Sequence, residues 1–254
     1  MKVLVTGANG QLGNDLCKVP RDFELIPLTH KDIEISGIDS VKQVFHKYKP
    51  DIIINTAAYV RVDDCETEQD KAFLINALGA RNVAVAAQEL GAKLVHISTD
   101  YVFGGEGETL VVSLKAGEDK PRPYTEFDTP IPLSIYGKSK LAGENLVRQS
   151  CLRHFIIRTS GLFGIAGASG KGGNFVETVL KLAREQEKLK VVDDQILSPT
   201  YTKDLATKIV QLISTEYYGI FHITNKGACS WYEFAREILK QAGLKAPIIP
   251  ISSD

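Results

Sequence analysis

The sequence predicts a doubly wound α/β fold, in which helices cover both faces of a parallel sheet, with a small C-terminal lobe beside it. Three observations support this prediction. Short strands alternate with helices, these strands are apolar along most of their length, and a glycine-rich turn follows the first strand. Strands that are buried on both faces have this uniform apolar character, because helices cover each side of a parallel sheet.

The predicted elements of the first 160 residues alternate in type. Periodicity and β-branched content predict strands at 2–6, 25–28, 51–55 and 93–97, and helices at 11–18, 38–48 and 69–90. Gly91 ends the last of these helices, as glycine commonly does. Ligands of such sheets bind at the carboxyl ends of the strands, so we expect functional residues just after Val5, Asn55, Ile97 and Ile157.

Composition and charge exclude several classes of protein. The 254 residues are 44% apolar and 24% charged, with a formal net charge of -1, which is typical of a soluble globular protein. No stripe of Lys and Arg indicates nucleic-acid binding. The four cysteines and five histidines lack metal-binding spacing, so no metal site is predicted. No apolar stretch could span a bilayer and no leader pattern is present, so we expect a cytoplasmic protein with no membrane partner.

The glycine-rich turn predicts a bound dinucleotide. Gly7, Gly10 and Gly13 recur at intervals of three residues, so backbone amides at the start of the next helix can approach a pyrophosphate. A simple tight turn could use the same glycines, but the position between a strand and a helix favours a Rossmann-like site for NADPH or NADH. The predicted cofactor-binding residues of this turn are Gly7, Asn9, Gly10, Gln11, Leu12 and Gly13.

The chain accordingly divides into two predicted parts. Residues 1–160 form the dinucleotide-binding domain, and residues 161–254 form mainly a substrate-binding lobe, with segments that return to the first domain. Glycines cluster between 161 and 173, where the character of the sequence changes. Beyond them we predict helices at 174–188 and 201–213, a strand at 220–223 and a helix from Ser230, which can form a capping box with Glu233.

The end of the second predicted strand bears on the choice of cofactor. Dinucleotide-binding proteins often carry an acidic residue there that holds the ribose hydroxyls, whereas this chain has His30 and Lys31. The missing acid favours the phosphorylated cofactor. We predict cofactor contacts from His30, Lys31, Asp32 and Ile33, although a loop aspartate such as Asp32 is often merely solvated.

Two further positions are predicted to bind the cofactor. Ala57, Ala58 and Tyr59 follow the third strand, where small side chains would let a cofactor lie across the sheet edge; ordinary packing at a strand end is the alternative. Asn76 lies inside a predicted helix, where asparagine is unfavourable unless its side chain forms a hydrogen bond.

A hydroxyl pair and a Tyr/Lys pair predict the chemistry. Ser98 and Thr99 follow the fourth strand, where one hydroxyl can bind a substrate carbonyl, and Tyr136 and Lys140 share one face of a helix. A nearby ammonium group is expected to lower the pKa of a phenol from about 10, which makes Tyr136 a proton donor near neutral pH. The sequence therefore predicts a nicotinamide-dependent reductase. Tyr136 and Lys140 are its predicted catalytic residues, with Thr99 or Ser98 as the hydroxyl that binds the carbonyl, and Ser98, Tyr136 and Lys140 are also predicted cofactor contacts.

These motifs resemble the extended short-chain dehydrogenase/reductase superfamily and, within it, the dTDP-4-dehydrorhamnose reductase family. The resemblance covers essentially the whole chain and rests mainly on segments 10–13, 57–63, 98–103, 136–144 and 158–160. It implies reduction of the 4-keto group of a dTDP-linked deoxyhexose to give dTDP-rhamnose, an activated sugar for cell-surface polysaccharides. The partner is then a nucleotide-sugar substrate, and a homodimer is compatible with the family.

The resemblance also implies roles for individual residues. Tyr136 protonates the substrate oxygen, Lys140 holds the nicotinamide ribose, and Thr99, with Ser98 nearby, bonds the carbonyl oxygen. The substrate-binding residues implied in this way are Ser98, Thr99, Asp100, Tyr101, Tyr136 and Asn174.

Two alternatives remain open at this point. One is a regulatory subunit that binds the cofactor without turnover and resembles the methionine adenosyltransferase β subunit. The other is a reductase or epimerase of a different nucleotide sugar. It is motivated by Gly161, where the family usually has a tryptophan, and by a long segment at 104–132, the least regular part of the chain.

Overall fold

The computed structural model describes residues 1–104, 123–167 and 173–253, so most of the predicted irregular segment 104–132 and part of the glycine cluster lie outside the described residues. Twelve strands are present in this part of the chain. They are β1 (Lys2–Thr6), β2 (Glu24–Leu28), β3 (Ile52–Asn55), β4 (Lys93–Thr99), β5 (His154–Thr159), β6 (Leu162–Phe163), β7 (Leu189–Val192), β8 (Ile196–Leu197), β9 (Thr200–Tyr201), β10 (Gly219–His222), β11 (Cys229–Ser230) and β12 (Ile248–Ile251).

Six of these strands form a parallel sheet in the order β10-β5-β4-β3-β1-β2. The helices of the described chain connect and cover them. They are α1 (Gln11–Leu16), α2 (Ile38–Tyr48), α3 (Val62–Thr67), α4 (Gln69–Phe73), α5 (Ala80–Glu89), α6 (Ile135–Ser150), α7 (Phe175–Glu185), α8 (Thr202–Leu212) and α9 (Trp231–Gln241). The predicted doubly wound α/β fold is therefore confirmed.

The direction of winding reverses between β1 and β3, which are adjacent in the sheet although β2 lies between them in the sequence. The chain goes from β1 outward to β2 and then returns to β3 on the other side. Connections leave the sheet in opposite directions at such a point, so a crevice opens beyond the carboxyl ends of the two strands. The glycine-rich turn after β1 and the Ala57 segment after β3 both lie there.

Separate apolar cores cover the two faces of the sheet. Leu4, Ile53 and Leu94 pack against α2, α5 and α6 on one face. On the other face, Val5, Ile54 and further strand residues pack against α1 and α8. Because neighbouring residues of a strand point to opposite faces, both sets of side chains must be apolar, and this explains the uniform strands seen in the sequence.

The predicted helix at 69–90 differs from the structure in its interior. Helix α4 ends at Phe73, a π-helix spans Leu74–Gly79, and only then does α5 begin. A π-helix is often found at functional sites. This one contains Asn76, and α6 packs closely on it: a Cβ on Gly143 would lie 2.2 Å from the Asn76 carbonyl oxygen.

The C-terminal third of the chain contributes both to the main sheet and to a smaller cluster. Strand β10 pairs with β5 at the edge of the sheet, whereas α7, α9, β7 and β12 enclose a third apolar core. The predicted capping box of Ser230 and Glu233 is confirmed at the start of α9. Across the described ranges, no helix combines the length and apolar character that a bilayer crossing requires.

Candidate active site

The glycine-rich turn brings its backbone very close to its neighbours. Gly7 has a φ of +67°, and a Cβ there would lie 2.8 Å from Thr56 Oγ1 and 2.9 Å from the Ala57 nitrogen. A Cβ on Gly13 would lie 2.3 Å from the Gly7 carbonyl oxygen. Side chains at 7 and 13 would therefore separate β1, β3 and α1. The turn fits a dinucleotide, since bare backbone is what close approach to a pyrophosphate requires.

We expect Gly13→Ala to weaken NADPH binding and to destabilise the protein. The added methyl group clashes with backbone rather than with a flexible side chain, so α1 must move away from the turn, at a cost of about 1–3 kcal/mol. Fluorescence titration with NADPH and urea denaturation measure the two effects. Gly37→Ala is the matched control, because its Cβ would have no neighbour closer than 3.7 Å. Equal behaviour of the two variants would contradict this expectation.

The other predicted residues of the turn differ in how they can act. Asn9 is exposed, whereas Gln11 and Leu12 are buried, Leu12 in the core between α1 and the sheet. The side chain of Leu12 therefore packs inside the protein, and only its backbone is available to a ligand. The Ala8 amide donates to the Leu28 carbonyl, 2.9 Å away, and so joins the turn to the end of β2.

The segment after β2 carries basic and acidic side chains at the surface, and His30 pairs with Glu34 at 3.3 Å. His30 and Lys31 are exposed, and Asp32 accepts hydrogen bonds from the Thr29 amide and hydroxyl, each at 2.8 Å. These two bonds hold the pKa of the Asp32 carboxyl below its usual value. The aspartate thus shapes the turn that carries His30 and Lys31. Ile33 is 4% exposed and packs in the core, so its side chain is not available to a cofactor.

Asn76 holds the segment after β3. Its amide oxygen accepts from the Tyr59 nitrogen at 2.8 Å, and its amide nitrogen donates to the Tyr59 carbonyl at 2.9 Å and to Ser139 Oγ at 3.0 Å. The expected hydrogen bond of this helix-interior asparagine is therefore present. Because protein groups occupy the side chain, we assign Asn76 to holding the Ala57–Ala58–Tyr59 segment rather than to direct cofactor contact.

Tyr136 lies at the carboxyl end of β4, near the start of α6. Its hydroxyl lies beside the Thr99 side chain, and its ring meets that of Tyr101 edge-on at 5.5 Å. Burial and the negative charge of Asp100 raise the pKa of Tyr136 well above its usual value. The sequence predicted a lowered pKa, and this expectation is wrong for the protein alone. The phenol therefore stays protonated at neutral pH, as a proton donor must.

The orientation of Lys140 explains this difference. Its ammonium group donates to the Ile97 carbonyl at 2.6 Å, and the side chain is buried. Burial lowers the pKa of Lys140 to about 8, against the opposing effect of Glu144. A helical spacing of four residues places the two side chains on one face, but it does not dictate that the ammonium group points at the phenol.

The residues after Ile97 belong partly to the strand itself, since β4 extends to Thr99. The Thr99 hydroxyl donates to Asp100 Oδ1 at 2.9 Å and accepts from the Tyr101 amide at 3.2 Å. Ser98 points to the other face, where its hydroxyl donates to Glu144 Oε1 at 2.5 Å. The structure therefore separates the two hydroxyls: Thr99 lies beside Tyr136, and the Ser98 proton is already donated within the protein.

Asp100 is 4% exposed, and burial raises the pKa of its carboxyl while hydrogen bonds from Ser160 and Thr99 oppose the shift.

Asn174 forms its side-chain hydrogen bonds with other residues than these. It begins α7 with a capping box, and its amide nitrogen donates to the Gly164 carbonyl at 2.7 Å. These bonds give Asn174 a structural role at the start of α7, and its substrate contact stays a prediction.

Several site residues were given no role from the sequence, although three of them lie in segments 136–144 and 158–160 that carry the family resemblance. Glu144 lies one turn beyond Lys140 on α6, Arg158 pairs with it from β5, and Ser160 bonds Asp100. Glu66 Oε1 accepts from the Ile135 amide at 2.8 Å and so holds the first turn of α6. The four-residue spacing from Lys140 was a usable signal for Glu144, whereas nothing local in the sequence indicates Glu66.

Comparison with known proteins supports this site. The chain matches the family model described as RmlD substrate binding domain over residues 1–254. It belongs to the dTDP-4-dehydrorhamnose reductase family of extended short-chain dehydrogenases/reductases. The predicted family, the nicotinamide-dependent oxidoreductase class and the use of NAD(P)H are thereby confirmed.

Individual relatives cover nearly the whole chain. It is 47% identical to the spore coat polysaccharide biosynthesis protein SpsK of Bacillus subtilis strain 168, over 100% of this chain and 83% of the relative. It is 38% identical to dTDP-4-dehydrorhamnose reductase of Aggregatibacter actinomycetemcomitans, over 95% of this chain and 79% of the relative. A crystal structure of dTDP-4-dehydrorhamnose reductase from Bacillus anthracis str. Ames in complex with NADP is 46% identical in sequence. The match covers 99% of this chain and 84% of that chain, with a TM-score of 0.88. These relatives support reduction of a dTDP-sugar keto group.

Within the described ranges, no three His, Cys, Asp or Glu side chains form a group that could hold a metal ion.

Proposed function

We propose that this protein reduces the 4-keto group of dTDP-4-dehydrorhamnose to give dTDP-rhamnose, with NADPH as the preferred reductant. One observation carries the proposal: Thr99 and the protonated Tyr136 meet at the carboxyl end of β4, beside the crevice that the glycine-rich turn borders. The relatives of the chain that are named for this reaction supply the substrate class.

The side chains divide the chemistry as follows. The reduced nicotinamide supplies hydride to the keto carbon when it is bound. Tyr136 donates its proton to the keto oxygen, and Thr99 donates a hydrogen bond to that oxygen after turning its hydroxyl from Asp100. Lys140 holds the nicotinamide ribose after turning from the Ile97 carbonyl. Because the phenol is protonated at neutral pH, its proton is available for this transfer.

An assay with purified protein tests the proposal. dTDP-4-dehydrorhamnose and NADPH are supplied, the loss of NADPH absorbance is followed, and the product is compared with dTDP-rhamnose by chromatography. We expect one dTDP-rhamnose for each NADPH consumed. A protein that binds NADPH but consumes none with this or related keto sugars would overturn the proposal and favour the regulatory alternative.

A second substrate belongs in the same assay. The chain is 35% identical, over 99% of its length, to a protein of Streptomyces niveus named dTDP-4-keto-6-deoxy-D-glucose reductase. Gly161 stands where the family usually has a tryptophan. Its φ is +51° and a Cβ there would lie 2.5 Å from Leu197 Cδ1, so the backbone here is suited to glycine. A higher kcat/KM for dTDP-4-keto-6-deoxy-D-glucose would assign the protein to that reaction instead.

Cofactor preference gives a separate prediction at the end of β2. We expect wild type to bind NADPH more tightly than NADH, and Lys31→Ala to lose about tenfold or more of its NADPH affinity, as expected for one hydrogen bond to a charged group. Its NADH affinity should not change. Isothermal titration measures both, with the exposed Lys245→Ala as the matched control. Equal affinity of wild type for the two cofactors would contradict the preference.

A further inference from the structure

A buried ion pair lies on the same helix as the catalytic residues. Glu144 and Arg158 are 1% and 2% exposed. The guanidinium donates from Nε to Oε1 at 3.0 Å and from Nη2 to Oε2 at 2.7 Å, so both carboxylate oxygens are engaged. A two-point contact of this kind fixes the orientation of both side chains as well as their separation.

The same carboxylate also binds the strand that carries the hydroxyl pair. Ser98 donates to Glu144 Oε1 at 2.5 Å, and Ser98 and Arg158 are direct partners in the β4 and β5 register. Glu144 therefore joins α6 to two neighbouring strands at once. It also explains why the Ser98 hydroxyl faces away from Thr99.

The placement of Glu144 on α6 connects this contact to the site. Tyr136, Lys140 and Glu144 recur every four residues and so lie along one face of the helix. Lys140 contacts the Ile97 carbonyl, and one turn later Glu144 contacts Ser98. Two successive polar anchors thus hold this face over β4.

Charge adds to the geometry. Glu144 is the source of the opposing effect that keeps the pKa of Lys140 from falling below about 8. Lys140 in turn acts on His96 of β4: burial and the Lys140 charge together hold the pKa of His96 well below its usual value, so His96 stays neutral. Glu144 is therefore the counter-charge of the Lys140 ammonium, shared with Arg158.

We propose that Glu144, held by Arg158, is a positioning residue that fixes the Tyr136 and Lys140 face of α6 over β4. It contacts neither the substrate nor the reacting atoms. The proposal rests on the proposed function, because the consequence of misplacing Tyr136 and Lys140 is read from the reduction that they carry out.

Glu144→Gln tests the role, since it keeps the size of the side chain and removes its charge. We expect kcat to fall about tenfold to a hundredfold, as misplaced catalytic groups commonly cause, while KM changes little. Without the carboxylate the ammonium of Lys140 loses its proton more easily. The alkaline limb of the kcat against pH profile should therefore move to lower pH by about one unit.

Two further variants separate positioning from simple loss of stability. Val147→Ala shortens a fully buried side chain on α6 without touching the pair, and we expect its alkaline limb to match wild type. Glu144→Gln/Arg158→Met leaves no unpaired guanidinium, so it remains testable if Glu144→Gln alone does not fold. The alkaline limb of the kcat against pH profile of this double variant should lie at lower pH than that of wild type, as in Glu144→Gln.

A readout without sugar distinguishes failure of this proposal from failure of the proposed function. NADPH affinity is measured between pH 6 and 9 in wild type and both Glu144 variants. We expect affinity to fall as the pH is raised, and this fall to begin at a lower pH in the variants than in wild type. A wild type that reduces no keto sugar but shows this difference would overturn only the function. Variants whose pH dependence of NADPH affinity and of kcat matches wild type would overturn the positioning role.

Discussion

Tyr136→Phe is expected to lower kcat by about 100-fold to 10 000-fold, the usual contribution of a positioned proton donor. The ring remains, so its edge-on contact with Tyr101 and the packing of α6 are kept. Only the hydroxyl beside Thr99 is lost. The NADPH affinity and the thermal midpoint should therefore stay close to those of wild type.

Single-turnover reduction of the keto sugar measures this effect directly, because product release then does not limit the rate. Tyr217→Phe is the matched control, since that phenol is 76% exposed and lies outside the site. A loss of less than about tenfold in Tyr136→Phe would show that another group donates the proton.

Arg158→Met is expected to have the largest effect on stability. It leaves the Glu144 carboxylate buried without its partner, and breaking a buried pair in this way costs about 3–5 kcal/mol of unfolding free energy. Glu144→Met/Arg158→Met removes both charges and should lose less. Its remaining loss is the acceptor of the Ser98 hydroxyl, worth about 1–3 kcal/mol.

Urea denaturation of the two variants and wild type measures the difference. Glu89→Gln serves as the control because it breaks the exposed ion pair with Lys42, and such pairs contribute at most about 1 kcal/mol. If the double variant were less stable than Arg158→Met, the destabilisation would have to come from lost packing rather than from an unpaired charge.

The sequence predicted the fold and the position of the site because both depend on local pattern. Apolar strands and amphipathic helices specify the sheet, and β1, β3 and β4, which end near Val5, Asn55 and Ile97, are neighbours in it, so the predicted site residues after them lie along one edge. The positions of Gly7 and Gly13 were predictable for the same reason. Close approach of two backbone segments requires glycine, and glycine is visible in the sequence.

The side-chain partners could not be predicted in the same way. Asn76 and Asn174 were expected at ligands, but both amides bond to protein groups that only the fold brings near. The pKa of Tyr136 depends on burial and on Asp100, which neighbours Tyr136 in space but not in sequence. A spacing of four residues predicts a shared helix face and leaves the direction of each side chain to its tertiary contacts.

The π-helix at Leu74–Gly79 has a consequence for how this region can vary. Its wider turn accommodates an extra residue, and each residue rotates a helix by about 100°. Losing one residue there would turn Val83 and Ala87 of α5 away from the sheet if Asn76 stayed in place, or turn Asn76 away if α5 stayed. The number of residues in this stretch is therefore constrained as tightly as the identity of Asn76. This holds although two of its apolar side chains, Leu74 and Leu78, face solvent.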